Sequence, residues 1–292
     1  MSETLGPRLR DATRLLADAG VDSPRLSAEL LLCAAVGISR VQLATHPERP
    51  VSDGEAQRFD ALVRRRAAGE PVAYLLGVKE FFGRDFKVTP ATLVPRPETE
   101  LLIEAALEAG ELPAGNCLRF ADFGTGSGCI AITLCLERPA WSGIAIDLSF
   151  NALSVARHNA MTLGVGQRLS LLQADFVNPP VKLHSLDLLI SNPPYVSCAE
   201  YAELSPEVQK YEPALALVPK GQTGGSSDGL EDEKRLIDVA AQLLKPGGVL
   251  LMEHGWTQAP ALSLLLERHT WNKVSLNKDL SGKQRYIKAV LR

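Results

Sequence analysis

The sequence predicts a doubly wound α/β domain, preceded by a small all-helical domain and joined to it by a β-hairpin. Three observations carry this reading. From residue 1 to about residue 76 the apolar residues recur at helical spacing; between residues 76 and 96 short aromatic and β-branched runs take over; from residue 97 onward helical segments alternate with apolar strands. The expected bounds are 1–76 for the helical domain, 77–96 for the hairpin linker and 97–292 for the α/β domain. A chain of 292 residues suits two domains at roughly 150 residues each, and 46% hydrophobic residues are enough to build their cores.

In the helical domain, Leu9, Ala12, Leu15, Leu16 and Ala19 mark one face of a first helix, which Gly20 ends. A second helix begins after Ser23. Pro24 fits its first turn, because the N–H that proline lacks would have no intrahelical partner there, and Leu26, Leu30, Leu31 and Ala34 follow as the apolar face. Another helix starts at Ser52 or Asp53, with Glu55 in its first turn, runs through Arg64, Arg65 and Arg66, and stops near Gly69. The hairpin is read from Glu80-Phe81-Phe82 and Asp85-Phe86-Lys87-Val88, broken at Gly83 and closed by Pro90, Pro95 and Pro97.

Strands of the α/β domain are expected at 118–123, 143–147, 169–173, 186–190 and 249–252, with two closing strands at 274–276 and 286–291. In such a sheet ligands bind at the carboxyl ends of the strands. The one low-complexity stretch, 221–229 (GQTGGSSDG), is expected to be a mobile loop.

Charge and composition remove several function classes. The formal net charge is −3, from 31 basic and 34 acidic residues, so no global positive field speaks for a nucleic-acid backbone as partner. Arg64-Arg65-Arg66 is the one cationic run, and a solvated helix face explains it. The opening MSETLGPRLR has no apolar signal segment, and no stretch approaches the roughly 20 apolar residues that span a bilayer. A cytoplasmic protein without membrane attachment is expected. The five cysteines (Cys33, Cys117, Cys129, Cys135, Cys198) include no C-x-x-C pair and read as reduced, mostly buried thiols. The five histidines lie far apart with no ligand spacing, so no metal is expected.

The first motif is Asp122-Phe123-Gly124-Thr125-Gly126-Ser127-Gly128, after an expected strand and before an expected helix. Glycines there let backbone approach a ligand closely and leave helix N-terminal N–H groups free for an anion. Asp147 ends the next strand, where a carboxylate can accept hydrogen bonds from a ribose diol. Both features serve any adenosine cofactor, and together they outweigh a tight turn with no ligand. The dinucleotide pattern G-x-G-x-x-G is missed, because position 129 is cysteine. G-x-G-x-G after an acidic residue instead resembles motif I of class I S-adenosylmethionine methyltransferases. Asp175-Phe176, after the third strand, would set a carboxylate and a ring beside an adenine; a plain strand-terminal turn explains it nearly as well.

The second motif is Asn192-Pro193-Pro194-Tyr195, directly after the strand at 186–190. An amide or exocyclic amine nitrogen is a poor nucleophile, because its lone pair is delocalised into the neighbouring π-system. Two acceptors, the Asn192 side-chain oxygen and the Pro193 carbonyl, can bind its two hydrogens and favour a pyramidal nitrogen. Proline donates no N–H, so Pro193 and Pro194 keep the segment out of a sheet ladder. Tyr195 is expected to stack on the planar group. Most isolated Asn-Pro pairs are ordinary turns, but here the upstream glycine loop and ribose acid outweigh that reading.

With these motifs stand Arg65-Arg66-Ala67-Ala68-Gly69-Glu70-Pro71-Val72-Ala73-Tyr74-Leu75-Leu76-Gly77 and Val94-Pro95-Arg96-Pro97-Glu98-Thr99-Glu100. Further matches are Tyr211-Glu212-Pro213-Ala214-Leu215-Ala216-Leu217, Met252-Glu253-His254-Gly255 and Lys278-Asp279-Leu280-Ser281-Gly282. Through them nearly the whole chain resembles the HemK/PrmC-type release factor glutamine methyltransferases. The resemblance implies a helical N-terminal domain, a hairpin linker and a seven-stranded class I methyltransferase domain of Rossmann-like fold. It implies that Gly124, Thr125, Gly126, Ser127, Gly128, Asp147 and Asn192 bind S-adenosylmethionine, that Phe176 lies against the adenine, and that Asn192, Pro193, Pro194 and Tyr195 hold the substrate glutamine, with Asn192, Pro193 and Tyr195 as the catalytic residues. That glutamine belongs to the Gly-Gly-Gln motif of class I peptide-chain release factors, and a monomer acting in translation termination is expected. The chain departs from the family pattern at Phe123, where leucine is usual, and in the length of 221–229.

Three other readings compete. A glutamine methyltransferase of a ribosomal protein would share the Asn-Pro-Pro-Tyr, but the segments 95–100 and 278–282 favour release factors. An adenine-N6 methyltransferase of DNA or RNA needs base flipping and phosphate contacts, which the charge does not favour. A non-catalytic adaptor of the same fold has no reason to keep both the acceptors at Asn192 and the glycine loop.

Overall fold

A computed structural model describes residues 3–112, 117–220, 228–267 and 271–292. The chain divides into two compact units, 1–78 with 205–211, and 79–204 with 212–292.

The smaller unit is helical: α1 (Leu5–Asp18), α2 (Pro24–Val36), α3 (Arg40–Thr45), α4 (Asp53–Ala67) and α5 (Val72–Leu76). Local chemistry sets their ends. At α4 the Ser52 hydroxyl accepts from the Glu55 N–H while the Glu55 carboxylate accepts from the Ser52 N–H, and the acids of the first turn and arginines of the last match the helix dipole. Ser39 and Gln42 cap α3 in the same way, on a short helix that apolar periodicity alone does not reveal. Leu5, Leu16, Leu31, Leu32, Phe59 and Val63 form the core. Leu15 and Leu26, expected on the apolar faces, are exposed instead.

The arginine run is not one solvated face. Arg64 and Arg65 are exposed, but Arg66 is buried, donates to the Glu70 carbonyl at 2.9 Å and pairs with Glu207 at 2.7 Å. Successive helix positions point about 100° apart, so three in a row cannot share one solvated face.

The hairpin β1 (Val78–Phe81) and β2 (Arg84–Lys87) opens the larger unit, all but its first residue lying within it. Phe82 and Gly83 both have positive φ, +51° and +72°, which suits a two-residue turn between right-twisted strands. Phe81 and Phe86 meet edge to face, with ring centroids 6.1 Å apart. They are buried in the same core as Leu102, Ile103 and Phe120, so the hairpin covers the larger unit's core as well as lying between the two segments it follows and precedes.

After a 3-10 turn at Pro97–Thr99 come α6 (Glu100–Leu107), β3 (Arg119–Phe123), α7 (Cys129–Glu137), β4 (Ser142–Asp147), α8 (Phe150–Thr162), β5 (Leu169–Gln173) and β6 (Leu186–Ser191). Then follow α9 (Cys198–Glu203), α10 (Pro206–Tyr211), which belongs to the smaller unit, α11 (Glu231–Leu243), β7 (Leu244–Glu253), α12 (Ala259–Glu267), β8 (Trp271–Lys278) and β9 (Gln284–Leu291).

Among the described residues the main sheet has seven strands in the order β5-β4-β3-β6-β7-β9-β8. All neighbours pair parallel except β9, which runs antiparallel to both β7 and β8. Helices pack on both faces, over two separate apolar cores. The strand order reverses at β3, which pairs with β4 on one side and β6 on the other. A crevice for ligand opens at such a switch point, outside the carboxyl ends of the two strands.

All five cysteines are free thiols; Cys33, Cys129 and Cys135 are buried, Cys117 and Cys198 exposed. No described helix is long and apolar enough to cross a membrane. Of the expected loop at 221–229, residues 221–227 lie outside the described ones. Gly229 is closely packed: a Cβ there would meet the Tyr195 carbonyl at 2.5 Å, and its φ is +72°.

Candidate active site

Both motifs meet at the switch point. A single cavity is lined by Gly124, Thr125, Gly126 and Ser127 after β3, Asp147 at the end of β4, Phe176 after β5, and Asn192 and Pro194 after β6. Gly128, Pro193 and Tyr195 are not among the lining residues.

The glycine loop is held by backbone geometry. Gly124, Gly126 and Gly128 all have positive φ, and the N–H groups of Gly124 and Thr125 both donate to the Ile146 carbonyl. Gly128 serves packing: a Cβ there would sit 2.8 Å from the Ile132 side chain and 3.2 Å from that of Ala156. Asp122 is fully buried and accepts from the Thr125 hydroxyl at 2.6 Å. Burial holds its pKa up at about 7, against the pull of the Thr125 hydroxyl. Asn159 of α8, which no motif reveals, donates to the carbonyls of Ser127 and Lys87 and accepts from the Lys87 N–H. It ties the loop to β2.

Asp147 accepts from the Gly126 N–H at 2.9 Å and the Ser149 N–H at 2.8 Å, one on each oxygen. A carboxylate has about four lone-pair sites, so acceptor capacity remains on both oxygens for a diol. Burial raises its pKa, opposed by those N–H donors. Phe176 lines the cavity with its ring stacked on Phe123, centroids 6.3 Å apart and planes 26° from parallel. Asp175 also lines the cavity, but its carboxylate is engaged by the Val177 N–H and by Lys220. A carboxylate with free lone pairs, an apolar ring wall and a loop that brings bare backbone to the surface fit an adenosyl cofactor at this end.

The other end is built from side chains. Asn192 lies just beyond β6, with its carbonyl oxygen 3.7 Å from where a Cβ of Gly124 would stand. Its Nδ2 donates to the Thr99 hydroxyl at 3.2 Å; Thr99 donates to Glu253 Oε2 at 2.8 Å; and the Tyr195 hydroxyl donates to Glu253 Oε1 at 3.2 Å. Tyr195 is therefore turned to Glu253, with its ring against Gly255, and does not provide the stacking platform expected of it. A buried carboxylate captures its hydroxyl.

Burial raises the pKa of Glu253 to about 7; the hydroxyls of Thr99 and Tyr195 and the charge of Arg285 pull it down, and Glu98 pushes it up. Burial, then Glu253, raises the Tyr195 phenol above its ordinary range. The cavity wall at Pro95 and Arg96 is fixed by Glu212, which accepts from the Arg96 guanidinium at 2.6 Å and the Val94 N–H at 3.1 Å. Thr99, Glu212 and Glu253 stand in segments that carry the family resemblance, but nothing in their spacing shows that they converge.

Two family models match the chain, the PrmC N-terminal domain over residues 8–77 and the methyltransferase small domain over residues 98–208. The chain is similar to the release factor glutamine methyltransferase of Nitratidesulfovibrio vulgaris, 49% identical over 97% of this chain and 94% of that one. It is 45% identical to that of Cereibacter sphaeroides, over 97% of each chain, and 41% identical to that of Moorella thermoacetica, over 99% of each. With a methyltransferase domain around this cavity, the cofactor is S-adenosylmethionine. Matched at such identity over nearly its whole length, the chain belongs to the release factor glutamine methyltransferase family.

Proposed function

We propose that this protein methylates the side-chain amide nitrogen of the glutamine in the Gly-Gly-Gln motif of class I peptide-chain release factors, and so modulates translation termination. The observation that carries the proposal is the orientation of Asn192. Its Nδ2 is engaged by Thr99, which leaves Oδ1 as an acceptor at the cavity wall. An acceptor is what an amide N–H needs. With one hydrogen held by Asn192 Oδ1 and the other by the Pro193 carbonyl, the nitrogen lone pair is released from conjugation and aimed in one direction.

S-adenosylmethionine supplies an electrophilic methyl group when bound. The chain's own residues bind and orient: Gly124, Thr125, Gly126, Ser127 and Asp147 hold the cofactor, with Gly128 shaping the loop by its packing, Phe176 flanks its adenine, and Asn192, Pro193 and Pro194 hold the glutamine amide. Tyr195 fixes the segment through Glu253. No strong base is needed, because an N-alkylated amide cation is very acidic.

The helical domain, 1–76, is proposed to recognise the release factor, with 77–96 as linker and 97–292 as the methyltransferase domain. A glutamine is small and common, so binding energy from surfaces away from the chemistry must select the right one. The protein is further proposed to be a cytoplasmic monomer that contacts no nucleic acid; its net charge of −3 is in keeping with that.

The experiment is to mix the protein and labelled S-adenosylmethionine with a release factor, a large-subunit ribosomal protein and DNA. Label should enter the release factor, on the glutamine of Gly-Gly-Gln. Label in the ribosomal protein or DNA alone would overturn the proposal.

A further inference from the structure

Asparagine presents an oxygen and an NH₂ group of nearly the same shape, so a site that needs the oxygen must also exclude the flipped amide. At Asn192 the choice follows from a chain of hydrogen bonds whose direction is set at its far end. Ionised Glu253 has no hydrogen to give, so the Thr99 hydroxyl, 2.8 Å from Oε2, must donate to it. That uses the only hydrogen Thr99 has. Toward Asn192 the hydroxyl can then only accept, and the group 3.2 Å away must be the NH₂. The other carboxylate oxygen takes the Tyr195 hydroxyl. Glu253 is 1% exposed and Thr99 3%, so the bond between them, which sets the direction, is shielded from water.

We propose that Glu253, acting through Thr99, is a positioning residue that holds the Asn192 amide with its oxygen toward the substrate and its nitrogen away. This rests on the reading of Asn192 as the acceptor of the glutamine N–H. Three separate elements supply the chain: Thr99 from the turn before α6, Asn192 from the end of β6, and Glu253 from the last residue of β7. A neutral group in place of the carboxylate removes the directionality. It can donate to Thr99, freeing the hydroxyl to donate toward Asn192 and to hold the amide either way round.

The test is single-turnover methylation of a release factor at saturating cofactor, with cofactor and release-factor affinities from calorimetry and thermal melts to show that each variant is folded. Thr99→Val should slow the chemical step roughly tenfold to hundredfold while both affinities stay within about twofold. Thr99→Ser, which keeps the hydroxyl, should return the rate to within about threefold of wild type. Glu253→Gln should be slowed at least as much as Thr99→Val, and the double variant no more than Glu253→Gln alone, because residues acting as one unit are not additive.

Thr99→Val at the wild-type rate, Thr99→Ser as slow as Thr99→Val, or losses that multiply in the double variant would overturn the inference. If Glu253→Gln does not fold, the Thr99 pair decides. Asn192→Ala separates the two levels. Unimpaired methylation by that variant removes the reading of Asn192 itself; a slowed Asn192→Ala beside an unimpaired Thr99→Val rejects only the positioning role.

Discussion

The two ends of the cavity are built differently. At the glycine-loop end the partners are backbone groups or near neighbours: Thr125 bonds Asp122 three residues away, Ser149 bonds Asp147 two away, and Gly126 reaches Asp147 over 21. At the Asn192 end every partner is remote, with Asn192 and Thr99 93 residues apart, Thr99 and Glu253 154, and Tyr195 and Glu253 58. The first end is a local turn repeated across adjacent strands. The second exists only once β6 and β7 lie side by side and the turn before α6 has closed over them. The first is suited to holding a cofactor, the second to orienting a reacting amide.

This contrast breaks if the two ends do not separate affinity from rate. The largest effect is expected from Asn192→Ala, which should lower the single-turnover rate on the order of a hundredfold, with cofactor affinity nearly unchanged. A parallel loss of calorimetric cofactor affinity would erase the division. Asp147→Ala should do the reverse. A hydrogen bond to a charged acceptor contributes about 1.5–3 kcal/mol, so affinity for S-adenosylmethionine should fall roughly tenfold or more while the rate at saturation changes little. Unchanged affinity in a folded variant would remove Asp147 from the cofactor site.

The pH dependence sharpens the comparison, because Glu253 titrates at the substrate end. Its pKa is raised from 4.5 to about 7, and the groups facing it are Arg285 of β9, Glu98 of the turn before α6, and the hydroxyls of Thr99 and Tyr195, with His254 next in the chain. The ionised form directs the chain to Asn192, so the single-turnover rate should rise through about pH 7. One unit below the pKa it should be down about tenfold.

Stability should move the opposite way. The folded protein keeps this proton up to about pH 7 while the unfolded chain releases it near 4.5, so the stabilisation is present below 4.5 and is lost as pH rises toward 7. Asp122 titrates in the same window, so the readout is wild type minus Glu253→Gln in denaturant melts from pH 5 to 8. A pH-independent difference would place the titration elsewhere. The smallest effect is expected at Gly126, where φ is +56° but a Cβ would make only ordinary contact, 4.0 Å from the Gly124 carbonyl oxygen. Gly126→Ala should lower stability by about 1 kcal/mol, from backbone strain alone. A denaturant-melt loss several times larger would show that the loop has no such room.

The same division decides what could be read from the residues. The capping box at Ser52 and Glu55, the glycine loop, Asp147 and the Asn-Pro-Pro-Tyr segment are local patterns: backbone freedom, a capping hydroxyl or a missing N–H acts within a few residues and leaves its mark in the order of the chain. Strand periodicity placed the sheet segments within a few residues of their observed ends, except β7, whose start at Leu244 precedes the apolar run. Helical periodicity was less discriminating. It does not say how wide a buried face is: Leu15 and Leu26 fit the apolar faces by spacing and are exposed, and Arg66 fits a solvated run and is buried.

By itself, then, the sequence determined the alternation of elements, the glycine loop and the amide-binding segment, because each is specified by steric and hydrogen-bonding rules of short range. Only the tertiary structure decided that Thr99 and Glu253 stand behind Asn192, that Asn159 braces the loop, that Tyr195 faces a carboxylate and not the cavity, and that α10 joins the helical unit. Those contacts depend on strand order and on which helix covers which face. They are settled by the burial of whole surfaces, for which no short stretch of residues carries a signature.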